Sequence, residues 1–179
     1  ASTVGSAFLD VPLTAPNTSA SYVVQALEGV TGTGTITVSA PGFTSANATV
    51  TVRGLGVDFL SVPTSIAAGA TDLLLQARIG TLNAAGTAIE SEYALRFGGV
   101  PLTATITSSN GAAAQLVTTA FTGASVTAGI AIGQTRTASA VATGGFALDP
   151  LAGGTTTVSV SIPGVTSVPG AARTVTVTP

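Results

Sequence analysis

The stretch GTITVSAPGFTSANATVTV, residues 34–52, returns near the C-terminus as GTTTVSVSIPGVTSVPGAARTVTV, residues 154–177. In both, threonine alternates with small or β-branched residues, a Pro-Gly pair interrupts, and a second alternating run closes on Thr-Val-Thr-Val. A period of two places Ile36, Val38 and Ala40 on one side of a strand and Thr35, Thr37 and Ser39 on the other. Ala48, Val50 and Val52 oppose Asn47, Thr49 and Thr51 in the same way, as Val158, Val160 and Ile162 oppose Thr157, Ser159 and Ser161. Threonine suits the outer face of such a strand, because it favours extended backbone and is polar without charge. Each stretch therefore predicts two strands joined by a turn, with one apolar face to be covered.

The same rhythm fills the rest of the chain. Turn dipeptides recur at Gly98-Gly99, Asn110-Gly111 and Gly144-Gly145 as well as at Pro41-Gly42 and Pro163-Gly164. Ala67 to Ile79 is the one stretch with any helical character, and Gly69 and its β-branched flanks favour an extended segment over Asp72–Ile79 instead. Short strands with frequent turns predict an all-β sandwich or barrel. The repeat divides the chain. Residues 57–179 are long enough for a complete sandwich of roughly nine strands, whereas 1–54 supply about four, near half of an ordinary sandwich. Such a half exposes an apolar face and open edges. It needs completion by a neighbouring copy or by upstream chain.

Composition narrows the chemistry. Only 7% of the 179 residues are charged, against about 25% in ordinary soluble domains. The chain has no Cys, His, Met or Trp, and its five basic residues are all arginine: Arg53, Arg78, Arg96, Arg136 and Arg173. Serine–histidine and cysteine–histidine nucleophiles are thereby excluded, as are ordinary zinc, haem and iron–sulfur sites. A pI near 4.7 argues against nucleic acid as a partner. Mean hydropathy is high, at +0.62, yet Gly, Ser and Thr interrupt every apolar run, so no membrane-spanning helix is expected. The scattered Phe and Tyr are too few for the aromatic girdles of a membrane barrel. The opening Ala1-Ser2-Thr3 lacks an initiator Met, a basic segment and an apolar stretch, which implies a removed signal or a piece of a longer chain.

Candidate sites are sparse. The acidic residues are Asp10, Glu28, Asp58, Asp72, Glu90, Glu92 and Asp149. Glu90 and Glu92, two apart on a strand, would share a face about 7 Å apart, a spacing suited to a carboxylate pair or to part of a calcium site; an ordinary solvated strand face has the same pattern. Asp149-Pro150 reads as a turn opening the next strand, and Asp72 and Arg78 read as surface positions able to pair with a neighbour. Asn17-Thr18-Ser19 and Asn47-Ala48-Thr49 match the glycosylation sequon. Most of Phe8, Tyr22, Phe43, Phe59, Tyr93, Phe97, Phe121 and Phe146 read as core anchors rather than a sugar platform. No catalytic or cofactor-binding residue emerges.

With its Gly-Thr strand, Pro-Gly turn and terminal Thr-Val strand, the repeated closing pattern resembles the tandem immunoglobulin-like (Big-type) domains of large bacterial extracellular surface and repeat proteins. The resemblance implies an immunoglobulin-like β-sandwich, one complete domain preceded by a partial one, and a non-enzymatic role at the cell surface in a filament, stalk or repeat-rich protein. Some such families bind calcium at domain junctions; the junction here, Arg53-Gly54-Leu55-Gly56-Val57-Asp58, offers a single carboxylate. The expected partners are copies of the chain itself or adjacent immunoglobulin-like domains. A surface of Thr, Ser, Ala and Gly desolvates cheaply, which favours burial against like subunits. The alternative is an adhesin domain recognising a carbohydrate or host surface through its loops.

Overall fold

A computed structural model describes residues 5–27 and 29–179; Ala1, Ser2, Thr3, Val4 and Glu28 lie outside the described residues. The fold is all-β, with no α-helix among the described residues. In chain order the strands are β1 (Gly32–Val38), β2 (Ala46–Val52), β3 (Leu55–Phe59), β4 (Ser65–Ala67), β5 (Leu73–Leu75), β6 (Ala77–Leu82), β7 (Ile89–Glu92) and β8 (Leu102–Ser108). There follow β9 (Ala114–Val117), β10 (Thr122–Gly123), β11 (Ser125–Ile130), β12 (Phe146–Pro150), β13 (Gly154–Ser161), β14 (Thr166–Ser167) and β15 (Ala172–Thr178). From β3 onward they form three sheets, ordered β11-β8-β13-β15-β4, β10-β9-β12-β5 and β14-β3-β6-β7, while among the described residues β1 and β2 pair only with each other.

One core serves all three larger sheets. Alternation aims Ala104 and Ile106 of β8, Val126, Ala128 and Ile130 of β11, Val158 and Val160 of β13, and Val175 and Val177 of β15 inward. Phe59 and Phe146 meet there with ring centroids 6.4 Å apart and planes tilted by 58°. The Asp72–Ile79 segment is extended, as its composition requires, and carries β5 and the start of β6. Two expectations are corrected. Asp149-Pro150 ends β12 rather than opening a strand, the turn before it being made by Gly144 at φ 93°. Phe59 and Phe146 are the core aromatics, whereas Phe8, Tyr22, Phe43, Tyr93, Phe97 and Phe121 are exposed. The rest of the core is filled by Ala, Val, Ile and Leu, packed to leave little volume for further rings.

Pairing resets the frame of the repeat. Gly32 lies opposite Val52 as Gly154 lies opposite Val177. The two hairpins therefore match GTGTITVSAPGFTS (32–45) to GTTTVSVSIPGVTS (154–167) without a gap. Matching Gly34 to Gly154 is two residues out of frame. A shift of two preserves the side on which every residue falls, so alternation alone does not reveal it. Both turns pass through a left-handed glycine, Gly42 at φ 82° and Gly164 at φ 76°. The C-terminal copy alone inserts a tight turn over Pro169–Ala171 before its closing strand.

Burial divides the copies. Val160 is 2% exposed, and its counterpart Val38 is 53% exposed. Ile162 is buried where Ala40 is exposed, and Val165 packs against the core where Phe43 stands out in solvent. No described residue before Leu55 is buried.

A second correspondence lies upstream: GSAFLDVP at 5–12 matches GVDFLSVP at 56–63. In the second copy that stretch covers most of β3 and leads into β4, whereas residues 5–12 belong to no strand. Residues 13–31 then stand where 64–153 carry β4 through β12. The N-terminal copy thus joins the opening of the module directly to its closing hairpin. Among its described residues two strands form, β1 and β2, rather than the four expected.

Candidate functional site

The densest polar cluster gathers on β3, β6 and β7. Asp58 lies directly opposite Arg78 in the β3–β6 register. Arg78 donates from Nε to Oδ1 at 2.7 Å and from Nη2 to Oδ2 at 3.2 Å, a two-pronged fork on a nearly buried carboxylate. Glu92 on β7 receives a second fork, from Arg136 Nε at 2.9 Å and Nη2 at 2.8 Å. It also accepts from Thr135 Oγ1 at 3.1 Å and from Arg78 Nη1 at 3.4 Å. Arg136 reaches this point because residues 135–137 run beside β6: Ile79 N–H donates to the Thr135 carbonyl and Thr137 N–H to that of Ala77. The Arg136 fork holds the Glu92 carboxyl below the usual carboxylate range, opposed by partial desolvation. The Asp58 fork raises Arg78, and the Glu92 fork raises Arg136, so both stay firmly charged.

Glu90 does not join Glu92. The β6–β7 pairing runs from Thr81–Ser91 to Leu82–Ile89 and skips Glu90, a bulge that re-aims its side chain. Glu90 pairs instead with Arg53, at the base of the β1–β2 hairpin. The expected shared face of Glu90 and Glu92 is therefore broken by one residue of irregular pairing. Each carboxylate is matched by guanidinium, which satisfies the oxygens a cation would need, and no group of three or more metal-ligating side chains occurs among the described residues. Chemically, the cluster ties three strands and the 135–137 segment together.

The remaining candidates are scattered. Asp72 is exposed ahead of β5, and Arg78 pairs instead with Asp58 and Glu92. Asn17 and Asn47 are both exposed, with the Asn47 side-chain carbonyl accepting from Thr37 Oγ1 at 2.7 Å across the hairpin. The Asp58–Arg78 and Glu92–Arg136 forks were not legible from spacing, because their partners are 20 and 44 residues apart.

Two grooves run beside β11. One, of about 350 Å³, lies between Ser125–Thr127, Phe121 and Gly144-Gly145. The other, of about 710 Å³, lies between Gly129–Ala131, Gln76 and the 134–139 segment. Both reach Gly144, so together they follow the length of the strand. Their walls are mostly Thr, Ala and Gly, apart from Arg136 and the Phe121 ring, and contain no carboxylate. No helix among the described residues is long and apolar enough to cross a membrane. No protein-family model matches the chain, and no curated protein matches it significantly in sequence.

Proposed function

We propose that the protein is a non-enzymatic structural module of a bacterial extracellular filament, stalk or repeat-rich surface protein, built on immunoglobulin-like sandwiches and assembling end to end. The observation that carries this reading is the bare β1–β2 hairpin. Its sequence matches that of β13 and β15, whose valines are buried, yet its own Val38 is exposed and Ile36, Val50 and Val52 are only half-buried. A partner that completed the burial of this face would gain up to about 1.5–3 kcal/mol at Val38 and a fraction of that at each half-buried side chain. The scarcity of charge supports the same reading, since a Thr, Ser, Ala and Gly surface loses little hydration on contact with its like.

Negative-stain electron microscopy of the intact chain at neutral pH, with and without a chelator, tests the proposal. Ordered fibres of uniform axial repeat are the expected result. A monodisperse monomer at high concentration would overturn it in favour of a ligand-binding surface domain.

A further inference from the structure

The free edges of the sheets are not alike. An exposed edge invites pairing with another chain, and proteins blunt it by keeping it short or charged. Strands β10 and β14 have two residues each, and β4 and β5 have three. Strand β7 carries Glu90 and Glu92, both held in ion pairs with arginine. That leaves β11 and the hairpin. Strand β11 has six residues and β1 seven, and neither contains a charge or a proline.

Both edges have matching vacancies. Ser108 N–H donates to the Ala124 carbonyl, so alternation turns the main-chain groups of Val126, Ala128 and Ile130 toward β8 and those of Ser125, Thr127 and Gly129 off the sheet. On the C-terminal copy of the hairpin, β13 is covered by β8, antiparallel, with Ser109 N–H donating to the Thr157 carbonyl. The counterpart of Thr157 is Thr35, whose β1 edge has no strand beside it among the described residues. Residues 13–31 are too few to supply the missing strands, which in the second copy occupy much of 64–153.

Resting on the assembly reading above, we infer that β1 of one molecule adds antiparallel to the open edge of β11 in a second copy of this chain. The pairing extends the five-stranded sheet to the order β2-β1-β11-β8-β13-β15-β4. The apolar face of the hairpin, carrying Ile36 and Val38, then covers the grooves beside β11. Two different surfaces of one chain are joined, so the contact is heterologous and propagates head to tail. The uncharged edges make this addition nearly independent of salt.

The chain has no cysteine, so an engineered pair reports the contact without background. Thr35→Cys protein is mixed under mild oxidation, in turn, with Ser125→Cys, Thr127→Cys and Gly129→Cys protein; directly opposed antiparallel residues lie within disulfide reach. One mixture is expected to convert largely to cross-linked dimer, with the others and each variant alone near background. In parallel, Thr127→Lys is expected to abolish fibres while the thermal midpoint of the monomer stays unchanged. Fibres that persist with Thr127→Lys, with no mixture cross-linking above background, would overturn the β1–β11 contact and leave assembly itself intact. Thr35→Cys cross-linking to itself as well as it does in the mixtures would replace the contact with a β1–β1 pairing. Wild-type chains that form no polymer would bring down the assembly reading as well.

Discussion

The two hairpins of this chain carry nearly the same residues and have opposite fates. In the C-terminal copy β13 and β15 are interior strands of a five-stranded sheet, flanked by β8 and β4, and their valines are buried. In the N-terminal copy β1 and β2 are a sheet by themselves among the described residues; Val38 is open to solvent and Ile36, Val50 and Val52 are only half-buried. Alternation thus decides that a hairpin forms and which face is apolar. It does not decide whether that face is covered, which depends on strands contributed from elsewhere in the sequence.

The widest separation between the copies should come from a charge placed at the shared Val38/Val160 position. Val160→Asp buries an unpaired carboxylate and should cost at least about 4 kcal/mol, enough to unfold much of the population. Val38→Asp should change monomer stability by no more than about 0.5 kcal/mol. Urea titration of both variants checks the contrast, and comparable losses would mean that the first hairpin is covered within the monomer.

Next in size is a test of the insertion found only in the C-terminal copy. A Cβ on Gly170 would sit 2.9 Å from Asp58 Oδ2 and 3.0 Å from its Cβ. Gly170→Ala should therefore displace the carboxylate from the Arg78 fork and cost about 1–2 kcal/mol. Its unfolding midpoint should fall accordingly; an unchanged midpoint would show that the turn yields freely.

A smaller effect concerns Glu92. Its folded pKa is lowered, chiefly by Arg136. The stabilisation is therefore present above the ordinary carboxylate pKa and is lost as pH falls through the lowered folded value. Thermal unfolding between pH 7 and pH 3 should show Glu92→Gln about 1 kcal/mol less stable near neutrality, converging on wild type in acid. A constant gap across that range would contradict the assignment. Smallest of all, Glu90→Gln removes the exposed Arg53 pair at the foot of the first hairpin and should cost under about 0.5 kcal/mol by urea titration.

Much of the architecture was legible in the residues. The Thr/Val alternation, the Pro-Gly turns and the extended Asp72–Ile79 segment are local features, and local features survive into the fold. The frame of the repeat was missed because a two-residue offset leaves every side chain on its proper face. The FLDVP and FLSVP segments match residue for residue, but only the second takes part in a strand, so strand alternation does not relate them. The Glu92–Arg136 fork depends on a loop crossing β6, and the fate of Glu90 on one bulge; spacing along the sequence encodes neither. The aromatic residues misled for a different reason, since aliphatic Val, Ile, Leu and Ala side chains fill the core around Phe59 and Phe146.

The pairing of β4 with β15 has a mechanical consequence. The two strands are parallel, with Ser65, Ile66 and Ala67 opposite Thr176, Val177 and Thr178. Tension applied along the chain enters this pair through the start of β4 and the end of β15, which lie at opposite ends of the ladder. Such a load shears all of the bonds at once instead of peeling them one by one. A module closed in this way yields late when pulled, whatever its stability at rest.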